Sequence, residues 1–126
     1  HETWYLDTQE GKKLPVPHCI RNTEGWQIRS ELDKLRKTEP IDKDTFGSTD
    51  LADELVAMNI DDDIGSITFI GLCTDICVIS NAMLLKAFYP EVPISVDASA
   101  CAGVTPQSHK NALEAMKMCQ IDIVNE

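Results

Sequence analysis

The hydrophobic pattern is clearest at the centre of the chain. Ile67–Ile70 is an apolar run interrupted by a single threonine, and Gly71 closes it. Such a run predicts a buried parallel strand. Apolar positions then recur at helical spacing as far as Tyr89, and Thr74 or Asp75 would cap the helix that they predict. The pattern therefore predicts a strand, a short turn and a helix in direct succession.

The segments after this helix continue the alternation. We expect, in order, a strand over Pro93–Asp97, a loop of small residues over Ser99–Val104, a helix over Gln107–Met118 with Pro106 near its start, and a strand over Ile121–Val124. The apolar side of the last helix would consist of Ala112, Leu113, Ala115 and Met116. Strands that alternate with helices are typical of a parallel α/β sheet with crossover helices.

The pattern before the central strand is weaker. It predicts a loop over His1–Gly25, followed by a short amphipathic helix over Trp26–Arg36. A short strand through Ile41 would come next, within Pro40–Gly47. We then expect a helix over Asp50–Asn59, capped from within Ser48–Asp50, and a solvated loop at Asp61–Asp63. In the predicted helix over Asp50–Asn59, the inward positions would be Leu51, Leu55, Val56 and Met58. The acidic loop lacks the ordered ligand spacing of a calcium site.

Composition narrows the class of partner. The 126 residues fit one domain, and 11 basic against 21 acidic residues give a net charge of −10. This charge argues against nucleic acid or an anionic membrane as a partner. No run of about 18 apolar residues and no signal-peptide pattern is present, so a cytoplasmic protein is the expectation.

The five cysteines match neither a disulfide framework nor a zinc ribbon. We expect Cys19, Cys101 and Cys119 to be small buried residues. Cys77 is different, because it would lie in the first turn of a helix, at the carboxyl end of a parallel strand. Unpaired amides and the helix dipole stabilise a thiolate and an oxyanion there. A buried structural cysteine is an equally supported interpretation from position alone.

The segment Gly71-Leu-Cys-Thr-Asp-Ile-Cys77-Val78 resembles the nucleophile segment of the cysteine hydrolases of the isochorismatase/nicotinamidase superfamily. Further matching blocks occur in the same order: Glu10–Cys19, Gly25-Trp26, Lys43–Ser48 and Val96–Ala98. The resemblance implies an isochorismatase-like, Rossmann-like α/β fold, namely a three-layer α/β/α arrangement with a mainly parallel sheet. It also implies a homo-oligomer and a small-molecule amide as substrate.

The resemblance assigns a role to several residues. Cys77 matches the nucleophile, and Lys43 matches the family lysine, whose ammonium lowers the thiol pKa and stabilises developing negative charge. Leu72 and Cys73 match the family's non-proline cis peptide, which directs the Cys73 amide toward the oxyanion. The family usually has a small residue such as alanine where this chain has Cys73. The alternative for Lys43 is a solvated surface side chain.

A metal site is also implied. His18, in a proline-rich segment before Cys19, resembles a nicotinamidase metal ligand, and His1 resembles the histidine of an upstream Asp-x-His element. Two imidazoles with a carboxylate would suit zinc or iron. Many isochorismatase-like hydrolases use no metal, so we expect that none is required for the chemistry. His18 as a hydrogen-bonded loop residue is the alternative, and His109 is expected at the surface.

The family's catalytic aspartate follows an apolar N-terminal strand, in an Asp-x-Gln pattern, that these residues lack. Asp7 precedes Thr8-Gln9 but follows no apolar strand, so we do not assign it. We expect 1–126 to be a single hydrolase domain that corresponds to the C-terminal two-thirds of the family, without its first strand and helix. The leading hypothesis is a nicotinamidase-like cysteine amidohydrolase. The alternative is a catalytically impaired fragment or pseudoenzyme that serves as a binding or assembly module.

Overall fold

A computed structural model describes residues 1–58 and 64–126, except for the side chain of Met58. The chain divides into two compact units, His1–Thr45 and Phe46–Glu126. The predictions for the inward side chain of Met58, for Asn59 and for the acidic loop Asp61–Asp63 lie outside the described part of the structure. The assignment of the whole chain to one domain stays a prediction.

The first unit contains short helical elements. Their bounds are a 3-10 turn at Tyr5–Asp7, α1 at Gln9–Lys13, a 3-10 turn at Glu24–Trp26 and α2 at Ser30–Asp33. The prediction of a loop throughout His1–Gly25 was therefore wrong. Thr8 caps α1, because its side chain accepts a hydrogen bond from the Gly11 amide at 3.0 Å.

The amphipathic helix predicted over Trp26–Arg36 was wrong as well. Only the four residues of α2 are α-helical there, and Gln27 is already extended. Leu32 and Leu35 are 55% and 75% exposed, so no described residue covers the predicted apolar face enough to stabilise a longer helix. The strand predicted through Ile41 is also absent, and the described backbone at 40–47 consists of extended residues and a bend.

The second unit is a parallel α/β structure, as predicted. Its elements are α3 at Thr49–Met58, β1 at Ile67–Leu72, a π-helical turn at Thr74–Val78, α4 at Ile79–Phe88, β2 at Ile94–Ala102, α5 at Pro106–Met118 and β3 at Asp122–Val124. The strands are parallel in the order β1-β2-β3. The helix α5 begins with a capping box between Thr105 and Ser108, and Pro106 follows the cap.

The core lies where α3, α4 and α5 meet one face of this sheet. It consists of Ala52, Val78, Ala82, Leu85, Ile94, Val96, Ala98, Leu113, Met116 and Ile121. Ile67 pairs with Ile94 and Phe69 with Val96 in the register of β1 and β2, so apolar side chains of both strands point to the same face.

Burial corrects several details of the sequence reading. The strand β1 alternates between half-buried and exposed positions, so it is not buried on both faces, and Ile70 is exposed. The predicted loop at Ser99–Val104 is mostly strand, because β2 continues to Ala102. Val56 and Ala115 are exposed instead of inward, whereas Ala52 is fully buried. In the described part of the chain, no helix is long and apolar enough to cross a membrane.

Candidate active site

The turn that carries Cys77 follows directly from β1. Gly71 has a φ of +120°, which side-chain-bearing residues rarely adopt, and the Leu72–Cys73 peptide bond is cis. The carbonyl of Cys73 then accepts hydrogen bonds from the amides of Ile76 and Val78, both at 3.1 Å. This pattern closes a π-helical turn that contains Cys77, and α4 continues from it. Cys77 is half-buried at the carboxyl end of the strand.

The predicted capping of this helix was wrong. The residue before the turn is Cys73, and no side chain caps it. The Oγ1 atom of Thr74 lies 2.8 Å from Nδ1 of His109, and both carboxylate oxygens of Asp75 accept from the Val104 amide. His109 is half-buried instead of being a surface residue.

Asn81 is a buried polar residue that sequence reasoning missed. Its Oδ1 atom accepts from the Ser48 amide at 2.8 Å, and its Nδ2 atom donates to the carbonyls of Phe46 and Cys77 at 3.0 and 2.8 Å. One side chain thus ties the start of α4 to the segment before α3. The available signal was a lone asparagine within an apolar helix, since a buried polar group needs a partner.

The other cysteines differ from the expectation that they are buried. Cys19 and Cys119 are exposed, and Cys101 is partly buried. Burial raises the pKa of the Cys73 thiol, and the negative charges of Asp75 and Cys77 add to this effect. Cys73 is therefore held in the protonated form over a wider pH range than a free thiol, which favours a backbone role for this residue over a nucleophilic one.

Lys43 lies in the first unit, where its Nζ atom donates to the carbonyl of Thr45 at 2.9 Å. The preceding residue, Asp42, accepts from Nη1 of Arg21 at 2.6 Å and from Nε1 of Trp26 at 3.2 Å. Arg21 also binds Glu2 through its Nε atom at 2.7 Å. These bonds fix the backbone that carries Lys43, although the sequence pattern had predicted a strand at this position.

The structure brings His1 and His18 together and adds Glu10, which sequence reasoning did not propose. The Nε2 atoms of the two imidazoles are 3.2 Å apart, and Oε1 of Glu10 lies 3.5 Å from Nε2 of His1. One ligand atom from each of the three residues lies within 4.8 Å of the others. Gly11 allows this arrangement, because a Cβ there would be 2.0 Å from the Tyr5 carbonyl oxygen.

These three residues fit a divalent metal. The Nδ1 atom of His18 lies 2.6 Å from the Val16 carbonyl, so it carries the proton and leaves Nε2 as the lone-pair donor. Oε1 of Glu10 is buried, and no described residue donates a hydrogen bond to it. Two nitrogens that each bind tetrahedral zinc at about 2.05 Å are about 3.3 Å apart, close to the separation of the two imidazoles.

Comparison with solved structures gives several similar proteins. The pyrazinamidase of Pyrococcus horikoshii in complex with zinc is 28% identical with a TM-score of 0.65, and the match covers 91% of this chain and 66% of that one. The nicotinamidase/pyrazinamidase of Bacillus subtilis is 26% identical with a TM-score of 0.73, covering 94% and 68%. The nicotinamidase of Staphylococcus aureus is 27% identical with a TM-score of 0.66, covering 85% and 70%.

The chain thus spans about two thirds of the length of these proteins. No curated protein matched it. The fold shared with them is the predicted isochorismatase-like α/β fold. The model of the isochorismatase domain matches residues 2–125, and the chain therefore belongs to the isochorismatase family.

Proposed function

We propose that this protein is a cysteine-dependent hydrolase that cleaves the C–N bond of a small amide through a thioester, as nicotinamidases do. The position of Cys77 carries the proposal. Its thiol is half-buried in the turn that follows β1, at the carboxyl end of a parallel strand. Ligands of open α/β sheets bind at that end of the strands. Family membership and the likeness to nicotinamidases support the same chemistry.

In the proposed reaction, the Cys77 thiolate attacks the carbonyl carbon of the amide. The amide nitrogen takes up the proton that the thiol gave up, the C–N bond breaks, and ammonia leaves. Water then hydrolyses the thioester, which releases the carboxylic acid and restores the thiol. The amides of Cys73 and Cys77 are assigned to the oxyanion that forms in both steps. The superfamily gives the proton transfers to an aspartate, for which we assign no residue here.

Lys43 is assigned to charge stabilisation in this reaction. The support is its place in the Lys43–Ser48 block that resembles the superfamily, together with the hydrogen bonds that fix Asp42 beside it. Replacement by methionine keeps much of the aliphatic stem and removes the charge. We expect Lys43→Met to lower kcat by about 100-fold or more, because general acid–base and electrostatic groups contribute on that scale. The control is Lys12→Met in α1, which should leave kcat unchanged.

His1, Glu10 and His18 are assigned to a divalent metal, zinc or iron, with the buried Glu10 oxygen as the supporting observation. When bound, such an ion would supply Lewis acidity to a ligand or a bound water. The three side chains hold the site by providing two neutral nitrogens and one carboxylate. The Val16 carbonyl keeps His18 in the tautomer that can bind.

The decisive experiment is ammonia release from a panel of small aromatic and aliphatic amides, nicotinamide among them. We expect Cys77→Ala to reduce kcat by more than about 1,000-fold, since the nucleophile has no substitute. The control is Cys119→Ala, an exposed cysteine at the end of α5. Retention of activity by Cys77→Ala would exclude the mechanism.

A second measurement separates the hydrolase from the binding or assembly module. An activated Cys77 should react with iodoacetamide at neutral pH well before the other four cysteines, as peptide mass spectrometry would show. An unreactive Cys77 with no hydrolysis of any amide would favour the module. A cytoplasmic homo-oligomer belongs to the same proposal, and light scattering on the purified protein tests the oligomeric state.

A further inference from the structure

The π-helical turn Thr74–Val78 that contains Cys77, here called the nucleophile turn, contacts the first half of α5. Thr74 is 0% exposed, and its hydroxyl lies 2.8 Å from Nδ1 of His109. A buried hydroxyl that loses its partner costs about 1–3 kcal/mol. Thr74 follows the residue whose amide is assigned to the oxyanion. Thr74 lies between Cys73 and Cys77 in the chain, so a fixed Thr74 side chain restrains the segment that joins the two amides assigned to the oxyanion.

A second contact fixes the same two segments. The carboxylate of Asp75 accepts from the Val104 amide through both oxygens, at 3.1 and 3.2 Å. The segment before α5 also packs very closely against His109. A Cβ on Gly103 would lie 2.9 Å from N, Cα and Cβ of His109, so only glycine fits at this position.

The helix that presents His109 is itself well defined at its start. Thr105 and Ser108 form a capping box, with the Thr105 hydroxyl accepting from the Ser108 amide at 3.0 Å. The backbone amide of His109 donates to the Thr105 carbonyl at 3.0 Å. His109 thus extends from a capped helix turn, and its imidazole reaches a hydroxyl 35 residues earlier in the chain.

We propose that His109 is a positioning residue for the reaction of Cys77. Its bond to Thr74 holds the nucleophile turn so that the amides assigned to the oxyanion keep their direction. This inference rests on the proposed function, because the amides bind an oxyanion only if the protein hydrolyses an amide through Cys77. His109 touches neither the nucleophile nor a substrate in this role, and it acts through Thr74.

Chemistry indicates which substitutions preserve this role. Asparagine places a polar atom on the same Cγ branch as the Nδ1 atom of histidine, and it can donate or accept. Leucine has a similar branched shape without polar atoms. We therefore compare His109→Asn, His109→Leu and a neighbouring control, Lys110→Leu, whose side chain is exposed on α5.

In the hydrolase assay, we expect His109→Leu to lower kcat by about 10- to 100-fold, because a misplacement of about 1 Å has effects on that scale. KM should change by less than about threefold, since substrate binding is not the task of the oxyanion amides. His109→Asn should keep kcat within about threefold of the unmodified protein. Lys110→Leu should have no effect.

Amide hydrogen exchange over residues 72–78 supplies a readout that needs no activity. We expect exchange in this segment to accelerate about tenfold in His109→Leu and to stay unchanged in His109→Asn. If the unmodified protein hydrolyses no amide, the proposed function fails, and the exchange comparison alone decides the role of His109. The inference is overturned if His109→Leu behaves as the unmodified protein, or if His109→Asn is impaired as strongly as His109→Leu.

Discussion

Replacing Asn81 with leucine should lower the free energy of unfolding of the second unit more than replacing an exposed polar residue with leucine would. The side chain is 7% exposed and satisfies three backbone groups. These are the amide of Ser48 and the carbonyls of Phe46 and Cys77, at 2.8, 3.0 and 2.8 Å. Leucine is similar in size but can form none of these bonds.

The magnitude follows from these contacts. Each intramolecular hydrogen bond contributes about 1 kcal/mol net, and a buried group left without a partner costs about 1–3 kcal/mol. The Ser48 amide belongs to a residue that is 6% exposed, so water cannot readily replace Asn81. We expect the free energy of unfolding to fall by about 3 kcal/mol. This is a large share of the about 5–15 kcal/mol that is typical of a domain.

Urea unfolding followed by far-UV circular dichroism measures this loss. With a slope of about 1–3 kcal/mol per molar urea, the midpoint of Asn81→Leu should fall by about 1–3 M. The matched control is Asn111→Leu on the exposed side of α5, where the change should stay within about 0.5 kcal/mol. If Asn81→Leu lowers the free energy of unfolding by less than about 1 kcal/mol, the reasoning is refuted, because the three hydrogen bonds would then contribute little to stability.

Four further predictions concern the candidate site. Gly11→Ala should weaken zinc binding at least about tenfold in a chelator competition, because the new Cβ would lie 2.0 Å from the Tyr5 carbonyl oxygen. The control Gly25→Ala should leave zinc binding unchanged, because the nearest atom to its Cβ would be 3.9 Å away. Glu10→Gln should raise the Kd for zinc by about 10- to 100-fold or more, and an unchanged Kd would remove Glu10 from the ligand set.

Burial raises the pKa of Asp75, but hydrogen bonds from Ser108 and Val104 outweigh it, and the folded pKa lies below the usual value. The contribution of Asp75 to stability is therefore present above the unfolded pKa of about 3.9 and is lost as pH falls through the folded pKa. In acid unfolding, the free energy of unfolding of Asp75→Asn should therefore depend less on pH than that of the unmodified protein. Alkylation of Cys73 should need a higher pH than that of a free cysteine peptide, near 8.5, and a lower midpoint would contradict its raised pKa.

The nucleophile segment was predictable because its signals are local. An apolar run closed by glycine predicted β1, and the structure gives Gly71 a φ of +120°. The alternation of strands and helices that follows depends on periodicities of two and 3.6 residues, which side-chain burial enforces in the second unit. The same reasoning located α5 almost to the residue, since Pro106 and the last apolar position mark its ends.

The first unit was less predictable because its apolar residues are not organised around a core. Leu32 and Leu35 have helical spacing, but periodicity stabilises a helix only when a partner covers the apolar face. Within the first unit these side chains are exposed, and the backbone forms one short helical turn at Ser30–Asp33. Its order is maintained by polar bonds such as those of Arg21, which leave no periodic pattern in the sequence.

The residues that sequence reasoning missed share one physical property. Asn81, His109 and Glu10 each bind, or lie beside, groups that are distant in sequence, and each occupies a helical position where a polar residue normally faces water. Periodicity cannot distinguish a polar side chain directed to solvent from one directed to a buried backbone group. Only the fold reveals which polar positions are enclosed.

Glu10 illustrates how enclosure points to chemistry. Its carboxylate lies beside two imidazoles whose facing nitrogens are 3.2 Å apart, and the buried oxygen receives no hydrogen bond from the described residues. Burial raises the pKa of the neighbouring Tyr5 hydroxyl, and the negative charge of Glu10 raises it further. A single cation between the carboxylate and the two imidazoles would interact favourably with all three ligand atoms, which lie within 4.8 Å of one another. The geometry of the cluster thus suits a divalent cation, and direct measurement of metal binding tests the metal assignment of the first unit independently of hydrolysis.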